Sequence, residues 1–174
     1  MAQTKLHNYS VQEKLNKMDI DLIDVTVDTD ADAVGEVLAL VTEIPNAVAV
    51  PGGSALLQSA VFISNKVLTD TVDIYITSDS SALRKAGPAD LVVTDDIQAD
   101  ILVTTAAVMD GTCGSFRINN LTDLGVVAVG SKQNIGMVCK AEAGTTSLYV
   151  WILAMGGTNW DEDTGVLRLG FVKD

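Results

Sequence analysis

Residue types that perform covalent chemistry are sparse in this sequence. Histidine occurs once, at His7, so a Ser-His-Asp or Cys-His arrangement must draw its base from the extreme amino-terminal segment. A general base works when a supporting shell holds it within hydrogen-bond reach of its nucleophile, and a terminal arm supplies little of that shell. The two cysteines, Cys113 and Cys139, are 26 residues apart and have no C-x-x-C spacing, which predicts two free thiols in a chain made in a reducing cytosol. Gly111-Thr112-Cys113-Gly114-Ser115-Phe116 shares its small residues with thiol-protease nucleophile segments, yet small residues entering a strand serve tight backbone packing and turn chemistry. Pro51-Gly52-Gly53-Ser54 is neither a G-x-S-x-G elbow nor a phosphate loop, and it predicts a turn. No G-x-G-x-x-G is present.

Carboxylates are the abundant functional groups, with 23 Asp and Glu against 11 Lys and Arg for a net charge of -12. Asp28-Thr29-Asp30-Ala31-Asp32 opens like a calcium loop, but Ala33 stands where that loop needs glycine and Ala39 where it needs a bidentate Glu. A looser set of oxygens from Asp28, Asp30 and Asp32, or from Asp161, Glu162 and Asp163, suits a hard cation, while a solvated acidic loop explains the same residues without one. No metal or cofactor is assigned. Tyr149 and Trp151 alternate onto one face of a strand, with Trp160 following in the loop 156–163. Such aromatics stack on a sugar or anchor a core or an interface. None of these groups forms a catalytic set, and the expectation is a protein that is not an enzyme.

The elements that would carry these residues belong to one domain. The chain has 174 residues, 48% hydrophobic and 20% charged, enough to bury a core without disulfide or metal staples. Its mean hydropathy of +0.30 is high. No apolar run approaches the ~20 residues of a helical span, so the surplus is expected in a core or a subunit interface and no membrane partner is expected. Nucleic acid is likewise excluded as a partner, because its affinity comes mainly from basic groups that release counterions. The first residues lack the apolar stretch of a secretory signal.

Charge divides the chain at residue 18. Lys5, Lys14 and Lys17 against Glu13 give residues 1–18 a net +2, leaving -14 for the other 156. Leu6, Val11, Leu15 and Met18 are the large aliphatic positions of this segment, and the spacing 11, 15, 18 with Ser10 and Glu13 as a capping box is that of a short helix in an amino-terminal arm, while a frayed terminus explains the same residues. Residues 19–174 form the β domain. Asp19 and Asp21 alternate with Ile20 and Leu22, which predicts a half-buried strand with these acids toward water and the aliphatics inward; Asp24, out of that alternation, is a further candidate for the solvent side. Further strands are expected at 37–44, 47–50, 55–67, 71–77, 113–118, 126–129, 136–141, 147–155 and 166–172, with residues 143–146 as a hairpin loop. Residues 78–81 and 85–88 read as a polar loop region, and residues 94–102 read as one short helix whose acids lie near its amino end. About ten strands at spacings of ~8–12 residues argue an all-β fold, an antiparallel β-sandwich or jelly-roll-like domain.

Residues 55–174 also resemble the small virion proteins that decorate or cement the heads of tailed bacteriophages. The matching pattern runs through Thr71-Val72-Asp73-Ile74-Tyr75-Ile76, the helix 94–102, Lys132-Gln133-Asn134-Ile135-Gly136-Met137-Val138, Gly144-Thr145-Thr146-Ser147-Leu148-Tyr149-Val150 and Leu167-Arg168-Leu169-Gly170-Phe171-Val172-Lys173-Asp174. These are strands and turns rather than chemistry. What the resemblance implies is a non-catalytic capsid decoration protein, often a homotrimer, on the capsid surface of a virion and bound to the major capsid protein. A tail or head-fibre component and a carbohydrate-binding module are the alternatives. The partner-binding candidates are Lys5, Lys14 and Lys17 by charge, Leu6, Val11, Leu15 and Met18 by burial, and the aromatics Tyr149, Trp151 and Trp160.

Overall fold

Alternation of aliphatic with polar residues produces strands wherever one face can be buried, and here two sheets bury each other's inner faces. The computed structural model describes residues 20–31, 37–65, 70–79, 111–119, 121–155 and 160–173. Nine strands occur among them: β1 (Ile20–Ala31), β2 (Val37–Ile44), β3 (Ser54–Ser64), β4 (Val72–Thr77), β5 (Thr112–Ile118), β6 (Thr122–Asp123), β7 (Ala128–Lys140), β8 (Leu148–Ala154) and β9 (Trp160–Lys173). The arm 1–18 and the helix 94–102 lie outside the described residues.

One sheet has the order β1-β9-β3-β7-β6 and the other β2-β8-β4-β5, and every pairing is antiparallel. The chain changes sheet at most of its connections. The order in which β9 inserts between β1 and β3, while β8 inserts between β2 and β4, is that of a double-sheet jelly roll. The core lies between the sheets. Leu57, Ala60 and Phe62 of β3 and Leu167, Leu169 and Phe171 of β9 meet Ile74 and Ile76 of β4 and Leu148, Val150 and Ile152 of β8 in one buried cluster.

Several expectations change. Residues 47–50 are turn rather than strand, although Ala47 and Val48 are buried. Residues 126–129 and 136–141 fall largely within one strand, β7, which passes an irregularity against β3 where Leu57 pairs with Met137 but Ser59 pairs with Gln133. Asn134 (φ 56°) and Gly136 (φ 67°) take left-handed conformations there, so the turn-like composition marks a bulge, not a chain reversal. Residues 143–146 are not a hairpin loop, since β7 and β8 belong to different sheets and the segment carries the chain across the sandwich. Three backbone hydrogen bonds hold this crossing to the β2–β3 turn, Val48 N to Thr146 O, Gly52 N to Thr145 O and Ala141 N to Gly53 O, and Gly53 N to Val50 O closes the turn itself.

The two sheets meet without a shared ladder along the side where β5 and β7 lie. Close packing joins them there, because a Cβ at Gly130 of β7 would overlap the buried side chains of Ile118 and Leu121. Gly130→Ala should therefore lower stability by about 1–3 kcal/mol through overpacking. The check is a lower urea midpoint with an unchanged denaturant slope; an unchanged midpoint would show that the β5–β7 contact yields.

Candidate functional site

Side-chain parity on β3 and β9 decides what the first sheet shows to solvent. With Leu57, Leu169 and Phe171 inward, the alternate residues point outward, and one cross-strand row links Ile20 of β1, Val172 of β9, Leu56 of β3 and Val138 of β7. Leu22 is in the adjacent row opposite Gly170. Ile20, Leu22 and Val138 are 51%, 62% and 67% exposed. The side chains of Ile20 and Leu22 lean over Gly170, where any Cβ would also meet the Ser59 hydroxyl, so the glycine keeps this patch low and continuous. The next row is polar: the Arg168 guanidinium donates to both Asp24 carboxylate oxygens at 2.7 and 2.8 Å, and that hydrogen bond holds the Asp24 carboxyl below its ordinary range.

This reverses the expected orientation of β1. Ile20 and Leu22 face out, while Asp21 has the parity of the inward residues Ile23 and Val25 and lies at the rim, 2.7 Å from the Lys173 ammonium. The strand is an edge strand with aliphatic residues on both faces; Asp24 faces solvent as expected, but it does so on the same side as Ile20 and Leu22, so the alternation of Asp21 with those two did not mark the solvent side.

The aromatics lie on the second sheet. Tyr75 pairs with Trp151 and Thr77 with Tyr149 on the face opposite the core cluster. Trp151 is fully buried there, its Nε1 without a hydrogen-bond partner among the described residues, and Tyr149 is half-buried. A buried indole offers no ring face to a sugar, so Tyr149 and Trp151 do not form an exposed platform. Trp160 begins β9 opposite Ala31 rather than lying in a loop, and its side chain lies outside the described residues. The acidic groups are also on paired strands, with Thr29 opposite Asp163 and Asp28 opposite Thr164. Among the described residues no three His, Cys, Asp or Glu gather as a metal site. Lys5, Leu6, Val11, Lys14, Leu15, Lys17 and Met18 lie outside the described residues.

A feature not foreseen from sequence is the approach of the two cysteines. Cys113 opens β5 at the edge of one sheet, Cys139 lies near the end of β7 in the other, and both thiols are free. Cys113 is half-buried beside a cleft of about 320 Å³ that Ser78, Gly111, Lys140 and Ala141 also line. The Cys113 thiol donates to the Lys140 carbonyl oxygen at 4.0 Å, next in the chain to Cys139, and the buried Cys139 thiol donates to the Met137 carbonyl oxygen at 3.8 Å. The neighbouring Cys139 thiol holds the Cys113 pKa down to about 7 against the opposing effect of burial. Its interaction with Cys113, together with burial, pushes the Cys139 thiol up. Spacing alone carries no signal of this contact, because it depends on which sheet edges the topology brings together.

The sequence matches no family model and no curated protein. Solved structures similar to the chain include Sacbrood virus of honeybee, with a TM-score of 0.35 and 12% identity over 89% of this chain and 70% of that one. The VP2 subviral particle of infectious bursal disease virus gives 0.33 and 12% over 89% and 33%. Desmodium yellow mottle tymovirus gives 0.28 and 11% over 99% and 94%. All three are structures of virus or subviral particles. None of the three reaches a TM-score of 0.5, and the jelly-roll assignment rests on the strand order. Decoration of a tailed phage is not supported by them.

Raising the pH should speed alkylation of Cys113 through a midpoint near 7, whereas an ordinary thiol passes its midpoint near 8.5. The rate should climb as the thiolate forms and level off above neutrality. Iodoacetamide labelling read by peptide mass spectrometry across pH 5–10 checks this, and a midpoint above about 8 would show that the neighbouring Cys139 thiol does not act on Cys113.

Proposed function

We propose that this chain is a non-enzymatic structural protein of a virion, seated in its shell by the outer face of the β1-β9-β3-β7 sheet. The observation that carries the proposal is the row Ile20, Val172, Leu56 and Val138, with Leu22 beside it, on the solvent side of a sheet whose other side already forms the core. Aliphatic side chains aligned across four strands, exposed at Ile20, Leu22 and Val138 and half-buried at Leu56 and Val172, make a surface that gains free energy when another protein covers it. The polar row of Asp24 and Arg168 beside it supplies the charged rim that orients such a contact. A jelly roll suits this role because its core leaves the outer sheet face available while the crossings stay at the ends.

The finer form of the proposal follows the resemblance to head-decorating proteins: a homotrimer on the major capsid protein lattice of a phage. The acidic body then needs a tether of opposite charge, which Lys5, Lys14 and Lys17 of the arm provide, with Leu6, Val11, Leu15 and Met18 contributing burial. Attachment through partly exposed lysines weakens as salt is raised.

Two measurements test the proposal. Light scattering of the purified chain should give about three times the 18.3 kDa of one copy; a mass near one copy at micromolar concentration contradicts the trimer. A Leu22→Asp/Val138→Asp variant should remain folded, because exposed positions of this kind change stability by about 0.5 kcal/mol or less. It should also band with purified particles at least about tenfold less than the native chain, the loss expected from removing about 1.4 kcal/mol of docking energy. Undiminished banding by the folded variant would remove the sheet face from the contact, and absence of the native chain from particles would remove the virion role.

A further inference from the structure

The pair of thiols at the β5–β7 side does no work in a passive shell protein, and its placement has chemical consequences independent of the virion role. Cys113 sits at the edge of one sheet and Cys139 near the end of a strand in the other. Between Gly130 and Lys140, β7 has no strand partner beyond β3 among the described residues, because β6 pairs only with Ala128 and Val129. Among the described residues this side is joined by packing, in which the Met137 side chain lies against Gly114, immediately after Cys113, and by the long Cys113 Sγ to Lys140 O hydrogen bond at 4.0 Å. A cross-link at this level would tie the two sheets where no backbone hydrogen bond does.

We propose that Cys113 and Cys139 form a modification site at which a low-molecular-weight disulfide of the glutathione class is reduced and an internal disulfide joins β5 to β7. The two thiols differ in access, and that difference orders the steps. Cys113 is half-buried beside the cleft lined by Ser78, Gly111 and Lys140, whereas Cys139 is fully buried. The Cys113 thiolate attacks one sulfur of the small disulfide; the S–S bond breaks, a protein–small-molecule mixed disulfide forms, and one thiolate leaves and takes up a proton. Cys139, adjacent in the chain to the Lys140 carbonyl that the Cys113 sulfur contacts at 4.0 Å, then gives up its proton and attacks that sulfur. The second small thiolate leaves and is protonated. Two protein thiols are oxidised by two electrons, and one small disulfide is reduced to two thiols. Lys140 lines the same cleft, and a lysine beside the reacting sulfur suits a disulfide bearing carboxylates.

The bond would close a loop through residues 113–139, long enough that constraint of the unfolded chain raises the melting temperature by roughly 5–10 °C.

The test uses the full chain, folded, treated with oxidised glutathione at pH 7.5 and then denatured in excess alkylating agent. The native protein should lose about 2 Da, escape alkylation at both cysteines, yield a Cys113–Cys139 cross-linked peptide and melt at higher temperature. Cys139→Ala should stop at a glutathionyl adduct on Cys113, and Cys113→Ser should react at least about tenfold more slowly because only the buried thiol remains. The native-protein result stands without the variants if either fails to fold. Two alkylatable thiols after treatment, a disulfide-linked dimer through Cys113, or a stable adduct on Cys113 of the native chain would each overturn the proposal.

Discussion

Burial of Leu57, Ala60 and Phe62 on β3 against Leu167, Leu169 and Phe171 on the neighbouring β9 is the constraint from which the rest of the molecule follows. These two strands lie at the centre of their sheet, and their inward residues meet the inward residues of β4 and β8. Once their parity is set, every strand hydrogen-bonded to them has no freedom left: a slip of one residue would send a core side chain into water and an outer one into the core. Val138 and Leu22 are exposed because Cys139 and Ile23 are not. The apolar outer row is thus a product of the same register that builds the core.

That constraint also places exposed aliphatic residues on the surface of an acidic chain. Its net charge of -12 repels copies at long range, and the Asp24–Arg168 ion pair lies in the row beside the aliphatic one. The second sheet differs. Its outer face carries a fully buried Trp151, a half-buried Tyr149 and the Asp73–Arg117 pair at 2.6 Å, so it offers no comparable exposed aliphatic row among the described residues. Among those residues the two faces of the sandwich are chemically distinct.

Strand positions were largely legible, since Val72, Ile74 and Ile76 alternate with Asp73, Tyr75 and Thr77, and Leu167, Leu169 and Phe171 recur at every second position. What sequence did not show was anything depending on which strands pair. Asp21 and Leu22 carry no mark of the inner or outer side, because an edge strand with aliphatic residues at both parities satisfies either choice until β9 decides. Asn134 and Gly136 have the composition of a reversal, yet their left-handed backbone accommodates a bulge within β7. The segment 143–146 looks like a hairpin because turn chemistry is local, whereas assignment of β7 and β8 to different sheets is not. Cys113 and Cys139 show the same limit: their contact exists because β5 ends one sheet along the side where β7 runs in the other.

The outer face of the β1-β9-β3-β7 sheet as a docking surface is the claim on which the functional account stands. Imaging of intact particles at a resolution that traces this chain tests it directly. The account predicts density for the chain in the shell, with Ile20, Leu22, Leu56 and Val138 covered by a neighbouring subunit. A chain found in the shell with that row turned to solvent, or particles without the chain, would contradict it.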